Sequence, residues 1–157
     1  KPNFLGFIFC DSRRQFDFEG IIRRYFSINN RIIWVRKNMS LGRVIQNRFI
    51  SAYETIFFFG NKGLNLPSQW GKERFDVKEY ATPQSNFAEG KDHPTQKPLE
   101  LIKELVRLGS IEGEAVLDPF AGSGTTVVAC KQLKRSCIAI EKEEEYINVI
   151  KARLNDL

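Results

Sequence analysis

Residues 115–126, A-V-L-D-P-F-A-G-S-G-T-T, carry the types and spacings best suited to chemistry. Ala115 to Leu117 reads as a short buried strand that ends in a carboxylate, Asp118. The chain then turns through Gly122 and Gly124 into a stretch of helical pattern. Glycines let backbone approach a ligand closely, and a helix start offers free N–H groups. A carboxylate at the strand end can accept from a cationic amine. Glu141 follows Asp118 by 23 positions, at the end of a second strand over 136–140. In a βαβ unit that places an acid beside the turn, where ribose hydroxyls bind. The ligand implied has a ribose and an amino-acid-like cation.

Other ligands fit less well. A P-loop needs a Lys after its last glycine, but Thr125 follows Gly124, so NTP hydrolysis is disfavoured. The dinucleotide fingerprint wants a third glycine where Val127 stands, and Asp118-Pro119-Phe120 intervenes before the turn. The pattern of strand, acid, Gly-x-Gly, helix, strand and acid therefore favours S-adenosylmethionine over NAD. The one histidine, His93, cannot build a His-rich zinc site, and Cys10, Cys130 and Cys137 fit no metal template. Three cysteines without a C-x-x-C suggest a reducing, cytoplasmic setting, each thiol acting as a small buried apolar group.

The elements that must position this site follow from periodicity. Phe4 to Cys10 is a continuous apolar run, as in a strand buried on both faces. Ser12 to Gln15 fits a capping box, and Phe18, Ile21, Ile22 and Tyr25 predict a helix over about 13–26. Strands are expected at 31–36 and 55–59, the latter stopped by Gly60-Asn61. Residues 61–92 lose regular periodicity and read as a loop or small insertion. Pro98 suits the first turn of a helix with Leu99, Ile102, Leu105 and Val106 as its stripe and Gly109 as its C-terminal cap. A helix after the glycine turn carries Val127, Cys130 and Leu133. Another over 144–154 uses Tyr146, Ile147, Ile150 and Leu154. Strand–helix alternation in the second half predicts an α/β fold with a mostly parallel sheet flanked by helices.

At 157 residues, 42% hydrophobic and 27% charged, the chain reads as a single globular domain. No apolar run approaches the ~18 residues of a membrane span. The net charge of +5 is uneven: residues 1–60 hold ten Lys/Arg and four acids, +6, and the rest carries −1. A basic half beside a neutral half suits a polyanion-facing surface.

The motif D-P-F-A-G-S-G-T-T at 118–126 resembles the cofactor motif of DNA amino-methyltransferases. H-P-T-Q-K-P at 93–98 is similar to the other half of that family's cofactor site. R-I-I-W-V-R-K-N and Y-E-T-I-F-F-F (31–38 and 53–59) resemble strands that follow its catalytic region. The motif order is that of the permuted β-group, and the resemblance is weakest across 61–92. It implies a Rossmann-like, S-adenosylmethionine-dependent fold spanning 1–157 as one partial domain.

Carried over residue by residue, the resemblance implies that Asp118, Gly122 and Gly124 hold the methionine end of the cofactor. Phe120 would pack beside it, Thr125 and Thr126 would bond the methionine carboxylate, and Glu141 would bind ribose. Thr95, Lys97 and Pro98 would line the pocket from the other side; His93 either orients the turn or touches the ligand. Double-stranded DNA is the implied partner, with Arg43 and Arg48 as phosphate contacts and 61–92, including Trp70, Lys72 and Arg74, as target-recognition region. The family's D-P-P-[YFW]-like catalytic motif has no counterpart, because the sequence contains no Pro-Pro pair. The expectation is an N-terminally incomplete methyltransferase with no catalytic residue of its own, adenine N6 being favoured over cytosine N4. A homodimer and a completing N-terminal segment both remain open as partners.

Overall fold

The computed structural model describes residues 3–39, 47, 49–61, 75–84, 93 and 95–155. These fall into two compact units, Lys1–Ala81 and Thr82–Leu157.

The first unit runs β1 (Leu5–Asp11), a 3-10 turn (Ser12–Arg14), α1 (Gln15–Ile22), β2 (Ile28–Arg36), β3 (Tyr53–Gly60) and β4 (Val77–Tyr80). Its sheet has the order β1-β3-β2-β4. The unbroken run T-I-F-F-F makes β3 an interior strand, with Thr55 to Phe59 all buried. It pairs antiparallel with β1 (Phe7 opposite Phe58) and with β2 (Ile32 opposite Ile56). One face packs Cys10, Phe57 and Phe59 against Ile22 of α1. On the other, Phe7 stacks on Phe58 at 5.5 Å, and Trp34 is met edge-on by Phe9.

Several expectations are corrected in this unit. The sheet is mixed: only β2 and β4 run parallel here. β1 is less enclosed than a strand buried on both faces, only Cys10 being fully buried. The helix is shorter than 13–26, and no Ser12 capping box forms. Asp11 instead accepts from the Arg13 amide, while the Ser12 hydroxyl meets that of Ser51 at 2.6 Å. Residues 61–92 are not all loop. Val77–Tyr80 joins the sheet beside β2, and the Trp34 indole donates to the Tyr80 carbonyl at 3.0 Å. Much of the basic charge is internally paired: Arg13 with Asp11, Arg14 with Asp17, Lys37 with Glu79, and both Arg23 and Arg31 with Glu19.

The second unit runs α2 (Leu99–Gly109), β5 (Ala115–Asp118), α3 (Thr125–Gln132), β6 (Ser136–Ala139) and α4 (Glu144–Asn155). β5 and β6 pair in parallel, Val116 opposite Cys137, as the alternating pattern requires. α2 buries Leu101, Ile102, Leu105, Val106 and Leu108, and packs on α3, which buries Val128, Ala129 and Cys130. Pro98 is the N-cap of α2 and lies just outside its first turn. Gly109 is the last helical residue, not the cap. Ser110 takes that place in extended geometry, its hydroxyl donating to the Val106 carbonyl at 2.7 Å. Among the described residues no helix is long and apolar enough to cross a membrane.

Candidate functional site

The second unit builds its site at the carboxyl ends of β5 and β6. The Ile140 amide donates to the Asp118 carbonyl (2.9 Å), and the Ala121 amide donates to the Ile140 carbonyl (3.0 Å). These bonds extend the strand pairing into the turn. Asp118 Oδ1 accepts from the Phe120 amide at 3.1 Å, which bends the chain outward. The Phe120 ring is 88% exposed, so it is not core.

The turn then needs two left-handed residues. Gly122 (φ 52°) and Gly124 (φ 77°) supply them without a Cβ penalty. The Gly124 amide closes the turn on the Ala121 carbonyl at 2.8 Å. Gly124 also caps α3, whose first-turn amides have no intrahelical acceptor. Thr125 is buried and Thr126 half-buried at that helix start.

Glu141 stands beside the turn, as its spacing from Asp118 predicts. Its Oε2 accepts from the Gly122 amide at 2.8 Å. Its Oε1 accepts from the amides of Lys142 (2.8 Å) and Glu143 (3.0 Å). The Glu143 and Gly122 amides chiefly hold this carboxyl below the usual carboxylate range. A carboxylate has about four acceptor positions. The backbone occupies three, which leaves room for one hydroxyl donor.

The H-P-T-Q-K-P segment reaches the same turn. The His93 Nδ1 accepts from the Thr95 amide at 3.1 Å, and the Thr95 hydroxyl lies at the same distance. The His93 ring covers Gly122, where a Cβ would come within 3.6 Å of it, and meets Tyr146 edge-on at 4.3 Å. The buried Gln96 accepts from the Ser123 hydroxyl at 3.1 Å. Thr95 is exposed, Lys97 half-buried and Pro98 buried.

The fold thus brings Asp118, Gly122, Gly124, Thr125 and Glu141 into one turn, with His93 and Gln96 against it. Sequence reasoning missed Gln96, Ser123 and Arg153. The Arg153 Nη1 donates to the Ser123 carbonyl at 2.8 Å and lies 3.3 Å from its hydroxyl. Its signal was its position seven residues after Tyr146, on the same helix face. Arg43, Arg48, Trp70, Lys72 and Arg74 lie outside the described residues. No group of three or more His, Cys, Asp or Glu among the described residues could hold a metal.

Residues 1–152 match the DNA methylase family of the N6/N4 type. The type II methyltransferase M2.LlaDCHI of Lactococcus lactis subsp. cremoris is 37% identical over 133 residues, covering 84% of this chain and 44% of its own length. M2.DpnII of Streptococcus pneumoniae is 36% identical, over 83% of this chain and 44% of its own. The chain therefore spans less than half the length of these curated relatives. Among solved structures, the M1.HpyAVI–SAM complex aligns with 99% of this chain and 76% of its own at a TM-score of 0.80 and 32% identity. The cytosine-N4-specific PvuII DNA methyltransferase, at 19% identity and a TM-score of 0.74, shares the fold.

Proposed function

This chain belongs to the DNA methylase family, and we propose that its second unit holds S-adenosylmethionine for methylation of an exocyclic amino group of DNA. The observation that carries this reading is the turn 118–124, fixed between two acids and opening into a helix. The M1.HpyAVI structure, 32% identical, is a complex with SAM, which supports the same cofactor here.

The residues present fit that group. Asp118 has one oxygen beyond its bond to Phe120 with which to accept from the cofactor's ammonium. The first-turn amides of α3, with Thr125 and Thr126, suit its carboxylate. Glu141 retains an acceptor for a ribose hydroxyl, and the exposed Phe120 ring offers an apolar face. When bound, S-adenosylmethionine supplies an electrophilic methyl group. The chain's task is to hold that group in line with the target nitrogen, since positioning supplies much of the rate in such transfers.

Adenine N6 is the target we favour, over cytosine N4. The base would be flipped from the duplex into a pocket beside the cofactor. The chain contributes the cofactor pocket and part of a DNA face, with 61–92, including Lys72 and Arg74, in target recognition and Arg43 and Arg48 at phosphates. Its sequence has no Pro-Pro pair, so the D-P-P-Y-like motif that would activate the amino group comes from outside these 157 residues. A second reading, a non-catalytic DNA-binding subunit completed by a partner chain, rests on that same absence.

Calorimetry with S-adenosylmethionine and NAD tests the cofactor. Asp118→Ala is expected to weaken S-adenosylmethionine binding about tenfold or more, the scale of a lost charge-assisted hydrogen bond. Binding of NAD alone, or an unchanged affinity in the variant, refutes the site. Turnover by this chain on unmethylated DNA with labelled cofactor refutes the absence of catalytic groups.

A further inference from the structure

One face of α4 is built against the glycine turn. Tyr146, Ile150 and Arg153 follow at spacings of four and three, so they share a helix face. Tyr146 meets the His93 ring that covers Gly122. Ile150 fills the space beside Gly124 so closely that a Cβ there would lie 2.6 Å from its Cγ1. Arg153 binds the carbonyl of Ser123, and its Nη1 also lies 3.3 Å from that hydroxyl. Ser123 and Gly124 thus each meet a residue of α4, and Tyr146 reaches Gly122 through the His93 ring.

Arg153 differs from the other two because its contact is polar and part-buried. A peptide carbonyl held by a guanidinium fixes the orientation of its own peptide plane. Here that plane joins Ser123 to Gly124 and carries the Gly124 amide, which closes the turn on the Ala121 carbonyl. The Ser123 hydroxyl, which donates to Gln96, adds the H-P-T-Q-K-P segment to the same cluster. We propose that Arg153 is a positioning residue: it sets the orientation of the Ser123–Gly124 peptide and thereby the affinity for cofactor, without touching the cofactor. This rests on the reading of the turn as the S-adenosylmethionine site.

The test pairs amide hydrogen exchange without cofactor with calorimetric titration of S-adenosylmethionine, on the full chain. Arg153→Met keeps the apolar stem and removes the donors. It is expected to speed exchange at Gly124 while leaving the paired β5 and β6 amides unchanged, and to weaken binding roughly tenfold, the scale of one hydrogen bond from a charged donor. Arg153→Lys is expected to recover part of both effects, which a simple loss of packing would not allow. Asn148→Ala, on an exposed position of α4, is expected to change neither.

Unchanged exchange at Gly124 in Arg153→Met overturns the proposal. So does faster exchange with unaltered affinity, because the turn would then be uncoupled from binding. Faster exchange throughout β5 and β6 also overturns it, by assigning Arg153 to general stability. The underlying reading fails differently: the wild-type chain would bind no S-adenosylmethionine at all. Failure of the proposal alone leaves wild-type binding that Asp118→Ala weakens and Arg153→Met does not.

Discussion

Gly124→Ala is the sharpest perturbation of the turn, because two separate costs can be worked from one position. The residue sits at φ 77°, in the left-handed region. An L-residue there costs roughly 1–2 kcal/mol. The added methyl would also lie 2.6 Å from Ile150 Cγ1 and 3.3 Å from its Cβ and Cγ2. Carbon atoms prefer about 3.5–4.0 Å, and forcing a methyl into a filled site costs roughly 1–3 kcal/mol. The sum is a destabilisation of about 2–5 kcal/mol, read from urea unfolding of the chain. The two parts separate in the Ile150→Ala background, which removes Cγ1 and Cγ2. Only the 3.3 Å approach to Cβ then remains, and the same substitution is expected to cost little more than the backbone part, about 1–2 kcal/mol. A Gly124→Ala chain as stable as wild type refutes the left-handed assignment. An equal cost in both backgrounds refutes the packing of α4 against the turn.

Gly6→Ala tests the first unit in the same way, since its Cβ would lie 2.3 Å from the Phe59 ring. The expected loss is about 1–3 kcal/mol in urea unfolding, and a neutral effect would dissolve that contact. Glu141 gives a pH dependence. Its folded value is depressed by the Glu143 and Gly122 amides, so its anchoring is complete above the unfolded value of about 4.3 and is lost as pH falls through the lower folded value. The Gly122 amide proton resonance should therefore shift only in acid, and a flat titration in wild type, or an unaltered one in Glu141→Gln, contradicts the bond. Among the thiols, a hydrogen bond from Cys130 lowers Cys137, whereas burial raises Cys10. Peptide mapping after brief alkylation should find Cys137 modified before Cys10; the reverse order would reject the pairing.

The legible parts of the sequence were those where one interaction dominates. Strand β5, the glycine turn, α3 and β6 fall within a residue or two of expectation because apolar runs, glycines and a buried helix face all agree there. Ser12 was misread because Asp11, one residue earlier, is a competing cap with an ionised acceptor. Strand β4 was hidden because V-K-E-Y offers four residues and little periodicity; its place depends on β2 and on the Trp34 indole. Strand direction in the first unit was illegible for a related reason. An apolar strand pattern fixes burial, whereas the pairing partner decides parallel or antiparallel. Arg153 was passed over because a charged residue at the end of an apolar stripe looks like its solvent edge, and only the fold shows a carbonyl in front of it.

The two acids of the site divide their work unequally, and the division follows from where the chain needs donors satisfied. A turn with two left-handed residues points amides away from any sheet or helix ladder, so acceptors must come from side chains. Asp118, at the end of β5, accepts from the amide two residues on, that of Phe120. Glu141 arrives from β6 and spans the amides of Gly122, Lys142 and Glu143, joining the turn to the start of the next segment. Glu141 is therefore mainly a brace with one acceptor to spare, whereas Asp118 has the freer carboxylate. On the proposed reading, recognition of the cofactor's cationic end falls to Asp118 and the shape of the turn to Glu141, with Arg153 supporting that shape through Ser123. A ligand that binds this turn meets a backbone already oriented, which lowers the ordering cost it must offset.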